Sequence, residues 1–145
     1  MNPRAARTVF FTLSFSAFFG LSAGCQSAKD KCLMEMNLSS CRTNCESDGD
    51  MEGCNQLARG LHLSVDSASH TTEIRALFER ACKGGLAVGC VNRGSQCNIN
   101  GLHGPEEKAK PGIVCARKWY SAACKHGSDN GCQLADKYTV PAVGR

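Results

Sequence analysis

Hydrophobic residues recur at helical spacing ahead of two of the cysteines. The stripe before Cys82, in "TTEIRALFERAC", consists of Ile74, Leu77, Phe78 and Ala81. The stripe before Cys124, in "GIVCARKWYSAAC", consists of Ala116, Trp119, Tyr120 and Ala123. Both follow the i, i+3, i+4, i+7 period of an amphipathic helix. The pattern therefore predicts two helices with one buried face each, and it favours a core position for at least one of Trp119 and Tyr120 over a ligand platform.

The starts of these two helices carry local signals. Thr71 or Thr72 is the expected cap of the first, because a hydroxyl can accept a hydrogen bond from the first turn. Pro111 stands just ahead of the second stripe, where proline is tolerated as a helix begins. The sequence thus predicts helix starts near residue 71 and, just after Pro111, near residue 113.

A cysteine–glycine frame follows each predicted helix. It reads "CKGGLAVGC" from Cys82 to Cys90 and "CKHGSDNGC" from Cys124 to Cys132, with a looser copy, "CESDGDMEGC", from Cys45 to Cys54. All three copies end in Gly-Cys and keep a glycine four residues before that glycine. A repeated frame of this kind indicates a repeated structural unit.

The glycines of the frame predict a helical hairpin. Gly85 and Gly127 lie three residues after their cysteines, where a helix commonly ends in a left-handed residue. Gly89 and Gly131 fall at the start of the next segment, where a missing side chain lets two backbones approach closely. Those segments, "CNQLARGLHL", "CVNRGSQC" and "CQLADKY", are weakly amphipathic and predict second helices running back against the first.

Hairpin geometry suggests how the frame cysteines pair. The end of one helix and the start of the next come within disulfide reach, roughly 5.5–6 Å between Cα atoms. The expected pairs are Cys45 with Cys54, Cys82 with Cys90, and Cys124 with Cys132. Each such closed loop stabilises a fold by about 2–3 kcal/mol.

Besides Cys25, which lies near the start of the chain, four cysteines remain. Cys97 and Cys115 flank the polar loop "NINGLHGPEEKAKPGIV", and a bridge across it is reasonable; Cys32 and Cys41 then pair by elimination. In one straight helix those two would be about 13 Å apart, which is beyond disulfide reach. Either the helix breaks near "NLSS" or the first four cysteines pair differently.

The stretches "ALFERACKGGLAVGCVNRG" and "KWYSAACKHGSDNGCQLADKY" resemble the cysteine-rich, secreted bacterial form of the Sel-one-like repeat family. The resemblance implies an all-α fold, a short α-solenoid of about three disulfide-stapled αα-hairpins. It places the repeat domain at residues 31–138, with repeats near 31–63, 71–98 and 113–138 and a tail at 139–145. The first repeat departs from the family pattern, because Cys41 replaces the expected aromatic residue.

The start of the chain has the order of an export signal. In "MNPRAARTVFFTLSFSAFFGLSAGC", arginines precede an apolar run and a small-residue stretch that ends at Cys25. "LSAGC" resembles the lipobox of bacterial lipoproteins, although Ser22 stands where that box usually has Leu. The resemblance implies a removed signal peptide (residues 1–24), a lipid on Cys25 and a tether at 25–30. Ordinary cleavage that leaves Cys25 as a thiol is the alternative.

The cysteine count agrees with lipidation, because eleven cysteines cannot all pair and removing Cys25 leaves ten. Gln26 follows Cys25, and by the same resemblance it favours the outer membrane over the inner one. The short spacings of a zinc site or a redox Cys-x-x-Cys pair are missing, so neither a metal nor another cofactor is expected.

Charge and motifs narrow the function. Fifteen of the seventeen Lys and Arg follow residue 24, against thirteen acidic residues, and this scattered near balance does not favour nucleic acid as a partner. Catalytic frames such as Gly-x-Ser-x-Gly, His-Glu-x-x-His and Ser-x-x-Lys are missing.

The leading hypothesis is a lipid-anchored scaffold that binds a protein or cell-wall partner. The resemblance also implies an alternative, a β-lactamase or penicillin-binding enzyme, because cysteine-rich family members have carried that label. A small secreted effector is a third possibility.

Overall fold

The structure, a computed structural model, describes residues 27–98 and 106–138. Every regular element in these two ranges is an α-helix, which confirms the predicted all-α class. The seven helices are α1 (Ala28–Glu35), α2 (Leu38–Glu46), α3 (Met51–Leu63), α4 (Thr71–Lys83), α5 (Ala87–Asn98), α6 (Glu106–Lys125) and α7 (Asp129–Lys137). None of the helices in the described ranges is long and apolar enough to cross a membrane.

The helices stack in chain order. Three hairpins, α2–α3, α4–α5 and α6–α7, are joined where α3 packs on α4 and α5 packs on α6, while α1 packs on α2 and α3. Because contacts run mainly between neighbours along the chain, the described part forms a short helical-repeat stack, as predicted.

Ten cysteines form five disulfides within the described ranges, and each joins a pair that the sequence suggests. Three bonds close the hairpins at Cys45–Cys54, Cys82–Cys90 and Cys124–Cys132, each with a Cα–Cα distance of 4.5 Å. The other two are Cys32–Cys41, at 4.7 Å, and Cys97–Cys115, at 5.6 Å. The sequence separations of the hairpin bonds are only 8 or 9 residues, so each bond is local to its repeat.

The chain breaks between α1 and α2, which settles the pairing of Cys32 with Cys41. Met36 adopts a left-handed conformation (φ 49°, ψ 37°), and the Asn37 side chain then accepts a hydrogen bond from the Ser40 N–H as the cap of α2. The chain therefore reverses direction just before the "NLSS" stretch, and the two cysteines come together.

One predicted cap and two predicted boundaries differ from the structure. Helix α4 begins at Thr71, as expected, but its cap is His70, without a side-chain cap bond, instead of Thr71 or Thr72. Helix α6 begins at Glu106 and contains Pro111, so the third repeat starts before residue 113; one missing proline N–H removes a single hydrogen bond and the helix continues. Helix α1 begins at Ala28, where a capping box joins Ser27 and Asp30, so it takes up part of the predicted tether.

Glycines set how closely the two helices of a hairpin approach. A Cβ built on Gly89 would stand 2.7 Å from Ala81 Cβ, and one on Gly131 would stand 2.6 Å from Ala123 Cβ. The first hairpin repeats this contact between Gly53 and Asn44. The turn glycines Gly85 (φ 92°) and Gly127 (φ 84°) are left-handed, as predicted.

The aromatic residues of both stripes belong to the core. Phe78, Trp119 and Tyr120 are 2%, 6% and 3% exposed. Phe78 lies in a cluster built from α1 to α4, Trp119 packs in the cluster that contains Cys82 and Cys90, and Tyr120 packs with Tyr138. The structure thus places both Trp119 and Tyr120 in the core, whereas the sequence pattern predicted a core position for at least one of them.

Candidate binding groove

The ends of three helices meet on one side of the stack. The C-terminal end of α3, the N-terminal half of α4 and the C-terminal half of α5 are neighbours, because consecutive helices run in opposite directions. Between them lie two adjoining cavities of about 230 and 240 Å³ that share His62 and Gln96. We refer to the two cavities together as the groove.

The floor of the groove is apolar. Ile74 and Phe78 line it from α4, and each is only 2% exposed. These two residues belong to the stripe that also packs into the core, so contacts with other core residues fix their positions. The floor is therefore set by the same residues that stabilise the second hairpin.

A partly buried hydrogen bond links the two walls. Asn92 Nδ2 of α5 donates to Asn55 Oδ1 of α3 over 2.9 Å; Asn55 is 1% exposed, whereas Asn92 is half-buried. Separating the pair is costly for Asn55, because its amide oxygen would lose its partner away from water. The bond therefore holds the α3 and α5 walls at a defined separation.

The α5 wall is also tied to the third hairpin. Ser95 Oγ lies 3.3 Å from Tyr120 Oη, and the Tyr120 ring stacks on Tyr138 with ring centroids 5.5 Å apart. Ser95 also lines the groove. The groove is therefore connected through Ser95 and Tyr120 to α6 and to the end of α7.

The polar lining of the groove carries basic and amide groups. Arg59 and His62 project from α3, Arg75 from α4, and Asn92 and Gln96 from α5. Asp and Glu are missing from the described residues that line it. Because the cationic groups are not neutralised by lining acids, the local potential favours an anionic ligand.

An exposed apolar edge adjoins the α3 wall. Leu63 lines the groove and is 72% exposed, and Val65 follows it in full contact with solvent. Isolated exposed hydrophobic residues are ordinary, but these two stand beside a concave surface with an apolar floor. The groove and its edge together can contact both charged and apolar parts of a ligand.

An ion-pair network connects the start of α4 to α2. Arg42 of α2 lies 2.7 Å from Glu73 Oε1 and 2.9 Å from Glu46 Oε1, and His70 Nδ1 lies 3.2 Å from Glu73 Oε2. The hydrogen bond from Arg42 is the main cause that lowers the pKa of Glu73, and the bond to Glu73 raises the pKa of Arg42. The network joins the first hairpin to the second.

The cysteines that the sequence analysis identified serve as disulfide partners in the described ranges. All ten within the described ranges are in disulfides, and no group of three His, Cys, Asp or Glu side chains in those ranges is placed to hold a metal ion. Cys25, with the lipid predicted for it, lies outside the described residues, as do residues 1–24 and 139–145. The groove residues were not predicted, because no local motif marks polar positions on three different helices.

No protein-family model, curated protein or solved structure matches this chain. The resemblance to the Sel-one-like repeat family, and the lipoprotein reading of the first residues, therefore stay predictions from the quoted motifs.

Proposed function

We propose that this chain is a lipid-anchored helical-repeat module whose groove binds an extended, acidic segment of a partner protein. The observation that carries the proposal is the lining of the groove: Arg59, His62 and Arg75 surround an apolar floor without a lining Asp or Glu among the described residues. Such a surface favours a ligand with both carboxylates and apolar side chains.

A peptide suits this groove better than a compact small molecule. Its two cavities adjoin along the junction of two hairpins, and exposed Leu63 extends the contact surface, with exposed Val65 two residues further on. The amide of Gln96 can both donate to and accept from a peptide backbone. Helical-repeat proteins commonly use extended surfaces of this type for partner segments.

The anchor is part of the proposal. A lipidated Cys25 would stand three residues before the start of α1, so the repeat stack would remain close to the membrane surface. Two or more acyl chains provide stable attachment, whereas one chain binds only weakly. The partner is thus a protein of the same envelope compartment.

Site-directed photo-crosslinking in living cells tests the proposal. A photoreactive residue at Leu63 or Gln96 should yield discrete protein adducts, whereas the same residue at Val88, exposed at the other end of α5, should not. Arg75→Glu should abolish the adducts. Its matched control, Arg80→Glu on the same helix but outside the groove lining, should keep them. Equal adducts at all three positions, or adducts insensitive to Arg75→Glu, would contradict the proposal.

A further inference from the structure

A third cavity, of about 610 Å³, lies on another face of the stack, where α4, α5 and α6 meet. Its lining includes Glu79, Arg93, Pro111, Val114, Lys118 and Trp119. We call it the Trp119 cleft. The volume falls within the range of small-molecule sites, which is roughly 300–1,000 Å³. It shares no lining residue with the groove.

Two cations flank the indole ring in this cleft. Arg93 Cζ lies 5.3 Å and Lys118 Nζ lies 5.0 Å from the centroid of Trp119. Among the described residues one acid, Glu79, lines the cleft; it lies 2.7 Å from Lys83 Nζ, and that hydrogen bond is the main cause that holds the pKa of Glu79 below its ordinary value. Arg93 and Lys118 also interact with the charge of Glu79, but together with Lys83 they are three cations against one acid, so these described groups keep a net positive charge.

The guanidinium of Arg93 is incompletely satisfied. Its Nη1 donates only to a sulfur, Cys97 Sγ, over 3.3 Å, and its buried Nε has no hydrogen-bond partner among the described residues. Burial lowers the pKa of Arg93. Sulfur is a weak acceptor, and a buried N–H without a partner is costly. A carboxylate entering the cleft would supply the missing acceptor.

The rest of the cleft lining among the described residues is apolar. Val114 is 59% exposed at its edge, Pro111 lies one turn before Val114, and Cys115, which is bonded to Cys97, completes the wall. The covalent bond between α5 and α6 keeps this wall in place. The cationic groups therefore adjoin an apolar, pre-formed surface, and Arg93 itself contacts the sulfur of Cys97.

We propose that the Trp119 cleft binds a small amphipathic carboxylate, with the carboxylate on Arg93 and Lys118 and the apolar body against Pro111, Val114 and the Cys97–Cys115 bond. Two sources share this chemistry: a fatty acid and the carboxyl end of a peptide with an apolar last residue. The ligand of this cleft is distinct from the partner proposed for the groove, since the two share no described lining residue.

Trp119 is the only tryptophan of the chain, so intrinsic fluorescence reports directly on this cleft. The purified, oxidised protein is titrated with octanoate and with N-acetylphenylalanine, which represent the two sources. Octanol and N-acetylphenylalanine amide are the neutral counterparts. A saturable change with one or both carboxylates is expected, with affinity at least about tenfold weaker for the neutral compounds, because they cannot pair with the guanidinium. The carboxylate that binds more tightly identifies the source.

Three variants test the roles of the residues. Arg93→Met and Lys118→Met should each weaken carboxylate binding, the first by about tenfold or more, since hydrogen bonds to charged groups are the stronger ones. Lys125→Met removes one positive charge from an exposed position on α6, the helix that carries Lys118, and should change the affinity for the carboxylate less than about twofold. Urea unfolding shows whether each variant is folded, and Lys118→Met provides the test should Arg93→Met fail to fold.

Equal affinity for charged and neutral compounds would overturn the proposal. The same holds for a loss with Lys125→Met as large as with Lys118→Met, or for no saturable response to either carboxylate. None of these outcomes bears on crosslinking at the groove, so failure here is distinguishable from failure of the proposed function.

Discussion

Gly94 of α5 lies directly against the ring of Tyr120 of α6. A Cβ built on Gly94 would stand 2.6 Å from Tyr120 Cε1 and 2.8 Å from Tyr120 Cδ1, which is closer than non-bonded carbon atoms approach each other in proteins. Tyr120 is 3% exposed, so its ring has little room to retreat. The contact between the second and third hairpins therefore depends on the absence of a side chain at residue 94.

Gly94→Ala should destabilise the protein by about 1–2 kcal/mol, because the overpacking cost exceeds the gain in helix propensity. Gly60→Ala is the matched control within α3: there the added Cβ meets the flexible tip of Leu38, which can rotate away. That variant should be neutral or slightly stabilised. Urea unfolding of the oxidised proteins measures both, and equal effects would show that the Tyr120 contact is not decisive.

Asn44→Ala should stabilise the protein by about 1 kcal/mol. Asn44 is 1% exposed, and neither amide atom has a hydrogen-bond partner among the described residues. Ala81 and Ala123 occupy the corresponding place opposite Gly89 and Gly131 in the other hairpins. Removing an unsatisfied buried amide recovers its desolvation cost.

The reciprocal change, Ala81→Asn, provides the control for this prediction. It should destabilise the second hairpin, because it introduces an amide at a fully buried position. Thermal unfolding of both variants beside the parent measures the difference. A less stable Asn44→Ala protein would mean that the amide contributes to the fold after all.

Acid should weaken the Arg42–Glu73 link between the first two hairpins. The folded-state pKa of Glu73 is lowered from its ordinary value of 4.5, chiefly by the hydrogen bond from Arg42. The link therefore contributes fully above the ordinary pKa and is lost as the pH falls through the lowered folded-state value. Glu73→Gln should cost about 0.2–1 kcal/mol at neutral pH, the range for exposed pairs.

The difference in unfolding free energy between the parent and Glu73→Gln should be constant from pH 7 to about pH 5 and should shrink below pH 4.5. In an Arg42→Met background, which lacks the hydrogen bond that chiefly lowers the pKa of Glu73, the same substitution should produce a gap that changes less with pH. A gap between the parent and Glu73→Gln that stays constant down to pH 2 would argue that Glu73 does not titrate with a lowered pKa.

Membrane attachment through Cys25 is tested by intact mass. Protein recovered from bacterial membranes should begin at a lipid-modified Cys25, and ten thiols should react with an alkylating reagent only after reduction. Cys25→Ser should move the protein to the soluble fraction. An unmodified Cys25 would remove the anchor from the proposed function. Thiols that react without reduction would instead contradict the disulfide pairing or the oxidising compartment.

Much of the fold follows from local sequence. The stripes before Cys82 and Cys124 have helical period, and the hairpin cysteines are only 8 or 9 residues apart, so one turn brings each pair together. Gly85 and Gly127 mark the same turns. These features can be predicted from the sequence, because the residues that interact are close to one another along the chain.

Some local details were nevertheless decided by packing. The start of α6 at Glu106 passes through Pro111, and the break at Met36 uses a left-handed conformation that its side chain does not favour. That break allows Cys32 to reach Cys41, whereas a straight helix would keep them apart. Tertiary contacts outweighed residue preference at both places.

By itself the sequence determined the all-α class, the hairpins and their disulfides, because each depends on interactions within one repeat. Only the tertiary structure decided the groove and the Trp119 cleft. Asn55 meets Asn92, and Arg93 meets Trp119, across stacked helices that are distant along the chain. Which residues face each other there depends on the offset and rotation between hairpins, and these are set by the sum of many packing contacts instead of any single motif.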